Sequence, residues 1–220
     1  MQQPDQERKS DHPEYSTAFI LLLVSVAGLT DAALYLHSKE LLAVYMTGNT
    51  SKLAQFIQQG NLQKALPLLT LILAFLASTT FSAWLGNRLG RWRAPVLLLL
   101  VTFLLAVAWP ASDAEYPLGM VIAIALGMGV LNQISASEPG VTFITGTLVK
   151  LGRQLAGGDF RQALPLALRW LIWLAAAFVG ALLDSRYPQT LLLFIALWCL
   201  LLAASHLLLR KSRAFAPSQR

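Results

Sequence analysis

The chain is a succession of apolar blocks almost free of charged residues, and this arrangement commits it to a lipid environment. Only 13% of its 220 residues are charged and 56% are hydrophobic, whereas soluble domains carry charge on roughly a quarter of their residues. Mean hydropathy is +0.58. This composition excludes a disordered chain, a disulfide scaffold, a collagen-like fibre and a free nucleic-acid binder. The net charge of +6 points to cytoplasmic loops rich in Lys and Arg rather than to a nucleic-acid partner. Cys199 stands alone in an apolar run, makes no internal disulfide and is a small packing residue facing lipid or a neighbouring helix.

A helix needs about twenty apolar residues to cross the hydrocarbon core. Six segments reach or approach that length: Thr17 to Leu36, Ala65 to Leu85, Pro95 to Trp109, Leu118 to Ile134, Ala163 to Leu183 and Thr190 to Leu209. Pro67 and Pro165 are expected in the first turns of the second and fifth helices, where a missing N–H costs little. With six spans, the N-terminus, the second and fourth loops and the C-terminus share one face. Twelve Lys and Arg residues, among them Arg88, Arg91, Arg93, Lys150 and Arg153, lie on that face. Only Lys39, Lys52, Lys64 and Arg186 lie opposite. The positive-inside rule therefore puts both termini in the cytoplasm. The first fifteen residues lack a signal peptide's basic start and cleavage site and are expected to form a disordered cytoplasmic tail. Residues 210–220 form a basic one.

Sliding the chain by 98 residues lays MTGNTSKLAQFIQQGNLQKALPLL over ITGTLVKLGRQLAGGDFRQALPLA without a gap. Twelve of thirty-six positions from Met46 are identical, and seven of these are not leucine: Thr47/Thr145, Gly48/Gly146, Lys52/Lys150, Gly60/Gly158, Ala65/Ala163, Pro67/Pro165 and Ala77/Ala175. Upstream, after a three-residue gap, Gly28-Leu29-Thr30-Asp31 falls on Gly129-Val130-Leu131-Asn132. The expected fold is an all-α polytopic membrane helical bundle of about six transmembrane helices. Residues 16–110 and 117–209 form two three-helix repeats. An odd number of spans per repeat turns the second copy upside down, the arrangement found in many secondary transporters.

Each repeat carries a polar insert with a short helix opened by Thr47-Gly48-Asn49 or Thr145-Gly146-Thr147 and stopped by Gly60 or Gly157-Gly158. A Thr N-cap with a following Gly leaves backbone amides open to an anion or carboxylate, or simply caps a surface helix. Asp31 lies inside an apolar span, where a carboxylate costs a few kcal/mol unless paired, solvated or protonated. It is either half of an ion pair, with Lys52 or Lys150, or a proton or cation site. Asn132 and Gln133 supply intramembrane amides, more suited to interhelical bonding. His37 borders the first span, Arg169 is placed to snorkel, and Gly86, Gly90 and the run of Arg88, Arg91 and Arg93 form an ordinary cytoplasmic turn. No metal-ligand spacing, nucleophile elbow, P-loop or paired catalytic carboxylates occur in the sequence, so neither a cofactor, a metal site nor an enzyme is expected.

GLTDAALYLHSKELLAVYMTGNTSKLA, followed by GVLNQ and VTFITGTLVKLG, resembles the bacterial YoaK family, also called domain of unknown function 1275. The likeness runs from about Ala18 to His206. It implies a polytopic protein of the bacterial inner membrane and assigns no residue a role. Two functions compete. One is a small secondary transporter or permease with a midplane site between the repeats for a small solute or ion. The other is a non-transporting scaffold or regulatory subunit. A polar midplane cavity lined by both Thr-Gly turns and Asp31 would favour transport, and a packed centre the scaffold. Besides the lipid bilayer and such a solute, a homo-oligomeric partner is compatible with the sequence.

Overall fold

The computed structural model describes residues 15–38, 41, 43–111, 115–135, 140–187 and 189–215. The tail expected at residues 1–15 lies outside them but for Tyr15; of the one expected at 210–220, residues 210–215 continue the last helix and the rest lie outside. The described residues form eight α-helices and no strand: α1 (Thr17–His37), α2 (Met46–Gln58), α3 (Leu62–Leu89), α4 (Arg93–Ala108), α5 (Leu118–Leu131), α6 (Ile144–Ala156), α7 (Phe160–Arg186) and α8 (Leu191–Phe215). Among the described residues, four helical stretches are long and apolar enough to cross a bilayer: Thr17–His37, Leu62–Ala108, Phe160–Arg186 and Leu191–Leu208. The second comprises α3 and α4, separated by a 3-10 turn at Gly90–Trp92. Helix α5 is apolar but has only 14 residues.

Local chemistry repeats with the sequence. Helices α2 and α6 begin and end 98 residues apart, as do the first residues of α3 and α7. The turn between α2 and α3 uses Gly60 at φ 67°, and its counterpart uses Gly158 at φ 73°, a left-handed conformation in which only glycine is free of steric cost. The Asn61 side chain then accepts from the Lys64 amide at 3.2 Å, and Asp159 accepts from Gln162 at 3.0 Å. The same helix stop and the same N-cap thus build both hairpins.

Helix α1 packs along α7, and α5 packs along α3. Each pair crosses at a glycine. A Cβ on Gly28 would stand 2.8 Å from the Trp173 carbonyl and 3.0 Å from the Ala176 Cβ; one on Gly129 would stand 2.0 Å from Ser78 Oγ and 2.9 Å from the Phe75 carbonyl. Phe75 and Ser78 are the residues 98 positions before Trp173 and Ala176. Helix α4 packs on α8 and α5, α8 also touches α1, and each insert helix lies against the following long helix. The core runs through this contact zone, with Leu23, Leu34, Leu98, Ile124, Met128 and Leu131 completely buried. Cys199 is buried there too, as expected of a packing residue.

Three expectations need correction. Thr47 and Thr145 do not cap the inserts. The N-cap positions are Tyr45 and Phe143 with no side-chain bond, and both threonines lie inside the first turn, because the helices start two residues earlier than the Thr-Gly signal indicates. Pro67 and Pro165 are six residues into their helices, in the second turn rather than the first. Arg93 is no surface residue: it is 2% exposed.

Candidate functional site

The C-terminal ends of α1 and α7 meet at a polar cluster. His37 Nε2 and Asp184 Oδ1 are 2.8 Å apart, each side chain 11% exposed. Tyr116, in the segment leading into α5, stacks on the His37 ring with centroids 4.7 Å apart and planes 13° from parallel. Its backbone N–H donates to the His37 carbonyl at 3.0 Å. The Tyr116 hydroxyl is buried and has no hydrogen-bond partner. Burial first, and the Asp184 carboxylate second, push this phenol above its ordinary range, so it stays a neutral donor. Over the cluster opens a cavity of about 490 Å³ whose wall includes His37, Gln63, Lys64, Glu115 and Tyr116.

The α4 start is secured differently. Arg93 Nε donates to the Gln133 carbonyl at 2.7 Å, just beyond the C-terminus of α5, and its guanidinium donates to Asn87 Oδ1 at 3.3 Å. A Cβ on Gly86 would lie 2.9 Å from the guanidinium. Glycine at 86 is therefore what lets the arginine lie across α3 and satisfy a carbonyl left over at a helix end.

Asn132 is fully engaged: its Oδ1 accepts from the Thr142 amide at 3.1 Å and its Nδ2 donates to Thr142 Oγ1 at 2.9 Å. This fixes the approach to α6. Gln133 contributes its backbone carbonyl to Arg93. Asn49 is buried at 1% exposure, while Thr47 and Thr145 are exposed. Gly146 and Thr147 line a cleft of about 260 Å³ with Lys150 and Arg169. Thr147 Oγ1 donates to the Phe143 carbonyl at 3.0 Å within its own helix. Asp31 is half-buried and forms no ion pair with Lys52 or Lys150. Asp31 lines neither of these two cavities, and neither of them is lined by both Thr-Gly segments. Among the described residues, buried side chains of α1, α4, α5 and α8 form one core cluster.

Sequence reasoning passed over Asp184 and Tyr116. A signal for the first was present: His37 follows Leu36 and Asp184 follows Leu183, each directly after the end of a span. The six-span reading had already placed both ends on one membrane face.

These features define a helical membrane protein with several apolar spans and two polar clusters at helix ends. The chain belongs to the family described as Protein of unknown function (DUF1275), whose model matches residues 19–205. It is 29% identical over 196 residues, covering 86% of this chain and 84% of the other, to the UPF0700 transmembrane protein RA0705 of Rhizobium meliloti (strain 1021). No solved structure matches it.

Proposed function

We propose that the protein is a small secondary transporter of the bacterial inner membrane, built from two inverted three-span halves with both termini cytoplasmic. The supporting observation is how the helices pair. Exchanging α1, α2, α3 and α4 for α5, α6, α7 and α8 carries the α1–α7 contact into α3–α5, α2–α3 into α6–α7, and α4–α8 into itself. The glycine crossings exchange with them. Three spans per half then imply inversion, and inverted halves exchange roles between the two membrane faces during alternating access.

In such a design the two ends differ in any one state, and here they do. The His37 end carries the 490 Å³ cavity, whereas Arg93 is wedged between α3 and α5 at the other. A scaffold has no need of unlike ends. Asp31, unpaired on α1, is the candidate for a coupling ion. The buried core cluster is what the scaffold reading expects, so the test addresses access.

Single cysteines replace Gln63, in the cavity wall, and Ser82, completely buried one turn before Gly86, in a Cys199→Ala background. A membrane-impermeant maleimide added from either face of native membranes should label Gln63→Cys and spare Ser82→Cys. Adding Arg93→Ala should expose Ser82→Cys and protect Gln63→Cys. Labelling at Gln63 that ignores the state of Arg93 would refute alternating access and leave the scaffold reading.

A further inference from the structure

We propose that the outward face of α3 near its C-terminus is a binding site for one anionic phospholipid, with the phosphate on Arg88, held against Trp84, and the acyl chains along the apolar residues before them. Such a site requires only a bilayer around the chain and is independent of transport.

Helical spacing assembles the face. At 3.6 residues per turn, Leu66, Leu73, Leu76, Phe81, Trp84 and Arg88 fall on one side of α3, and all six are exposed. The opposite side carries the buried Leu68, Leu71, Ser78, Ser82 and Gly86. At the end of the stripe the Arg88 guanidinium lies 3.9 Å from the centre of the Trp84 ring, and that ring lies 5.8 Å from the Phe81 ring. The indole face attracts the cation but accepts none of its N–H groups in an ordinary hydrogen bond. Among the described residues Arg88 makes no hydrogen bond and no ion pair. Its fork of N–H donors matches two oxygens of a phosphodiester, and the ring has already removed part of the rotamer freedom that binding would otherwise cost. One leaflet is about 15 Å of hydrocarbon, half of the ~30 Å core, or roughly ten residues of helix. The chains of a lipid whose phosphate meets Arg88 therefore run past Trp84 and Phe81 towards Leu76.

Charge selects the headgroup. No Asp or Glu occurs between Glu40 and Asp113, while Arg88, Arg91 and Arg93 come within six residues. The cationic group of a zwitterionic lipid would meet only like charge from this segment, whereas a headgroup with net negative charge meets its complement. The other half supplies a contrast. Arg186 is the repeat equivalent of Arg88 and is also exposed, but Leu182 stands where Trp84 would be and Asp184 is two residues away. Among the described residues Arg186 lies over no ring. The arginine is thus repeated and the aromatic support is not, which confines the site to one end of the molecule.

The test is native mass spectrometry of the full chain in detergent, with bound lipid counted after addition of dioleoyl phosphatidylglycerol or of dioleoyl phosphatidylcholine, which has the same acyl chains. One phosphatidylglycerol should be retained where phosphatidylcholine is not. Arg88→Gln should raise the apparent Kd about tenfold, the loss of one hydrogen bond to a charged group. Trp84→Leu, which copies the other half and keeps the charge, should also weaken retention, whereas Trp84→Phe should keep most of it. Arg186→Gln removes the same charge from the other end and should change nothing. These side chains are exposed, so each variant should melt with wild type; if one of Arg88→Gln and Trp84→Leu does not, the other decides. Excess inorganic phosphate should fail to displace the lipid. Equal retention of phosphatidylcholine, wild-type retention in a folded Arg88→Gln or Trp84→Leu, a matching loss in Arg186→Gln, or displacement by phosphate alone would overturn the site.

Discussion

Adding one methyl group at Gly28 or Gly129 should loosen the whole bundle, because each glycine is where a helix of one half lies directly on a helix of the other. At Gly28 the obstacle is backbone: the new Cβ would stand 2.8 Å from the Trp173 carbonyl and 3.4 Å from the Trp173 Cα, neither of which can rotate aside. Helices α1 and α7 must separate by several tenths of an ångström along their contact. Overpacking of this kind typically costs 1–3 kcal/mol. At Gly129 the clash with Ser78 Oγ at 2.0 Å is relieved by a hydroxyl rotation, but the Phe75 carbonyl at 2.9 Å remains, so a similar cost is expected. Gly119 is the internal control: a Cβ there meets nothing within 4 Å, and alanine in a helix gains roughly 0.5–1 kcal/mol over glycine. At about 2–4 °C per kcal/mol for a chain of this length, Gly28→Ala and Gly129→Ala should melt several degrees below wild type and Gly119→Ala at or above it. Cys199 thiol reactivity during heating reports the transition in detergent. Gly28→Ala and Gly129→Ala melting with wild type, or Gly119→Ala falling with them, would refute the glycine crossings.

At the His37 end, Asp184→Asn and His37→Gln should each destabilise, and a double-mutant cycle should return an interaction energy of about 0.5–3 kcal/mol; simple additivity would mean the pair holds nothing together. Asp31→Asn should fold with wild-type or higher stability, since no cation is stranded and an amide costs less than a carboxylate in lipid. A melting temperature several degrees lower would reveal a charged partner. For Tyr116, the raised folded-state value means that the folded chain keeps a proton the unfolded chain loses. Stability from this group is therefore fully present below the unfolded phenol value of about 10 and falls as pH rises beyond it. The drop in melting temperature between pH 9 and pH 11 should be smaller in Tyr116→Phe than in wild type, and equal drops would show the phenol to be solvated.

The parts of the fold legible in the sequence are those set by short-range rules. A glycine at a left-handed position followed by Asn or Asp specifies each α2–α3 and α6–α7 turn within four residues, and so the repeat could be found by sliding the chain against itself. Positions that depend on long-range contact were hidden. His37 and Asp184 are 147 residues apart, and nothing local marks them as partners except their places at the ends of apolar spans. Arg93 stood in a run of basic residues that normally faces water, and only the absence of a side chain at Gly86 allows it inward. The Thr-Gly signal was real as a repeat but two residues out as a cap, because a threonine in a first turn and a threonine at an N-cap look alike in sequence.

The two halves agree where the backbone must be shaped and disagree where polar groups act. Gly60 and Gly158, Asn61 and Asp159, and the crossings at Gly28 and Gly129 are matched in position and in conformation or contact. By contrast, the repeat equivalent of Asp184 is Gly86, that of Asp31 is Asn132, that of Arg169 is Leu71 and that of Lys64 is Gln162. At one helix end a carboxylate on the long helix takes up the His37 imidazole; at its equivalent the side chain is missing and the Arg93 guanidinium occupies the space. Two copies of one polar site would have left the ends chemically equivalent. These differences leave the interlocked frame in place while giving one end a cavity with charges of both signs and the other a buried arginine, and it is this inequality, rather than the repeat alone, on which the proposed transport reading draws.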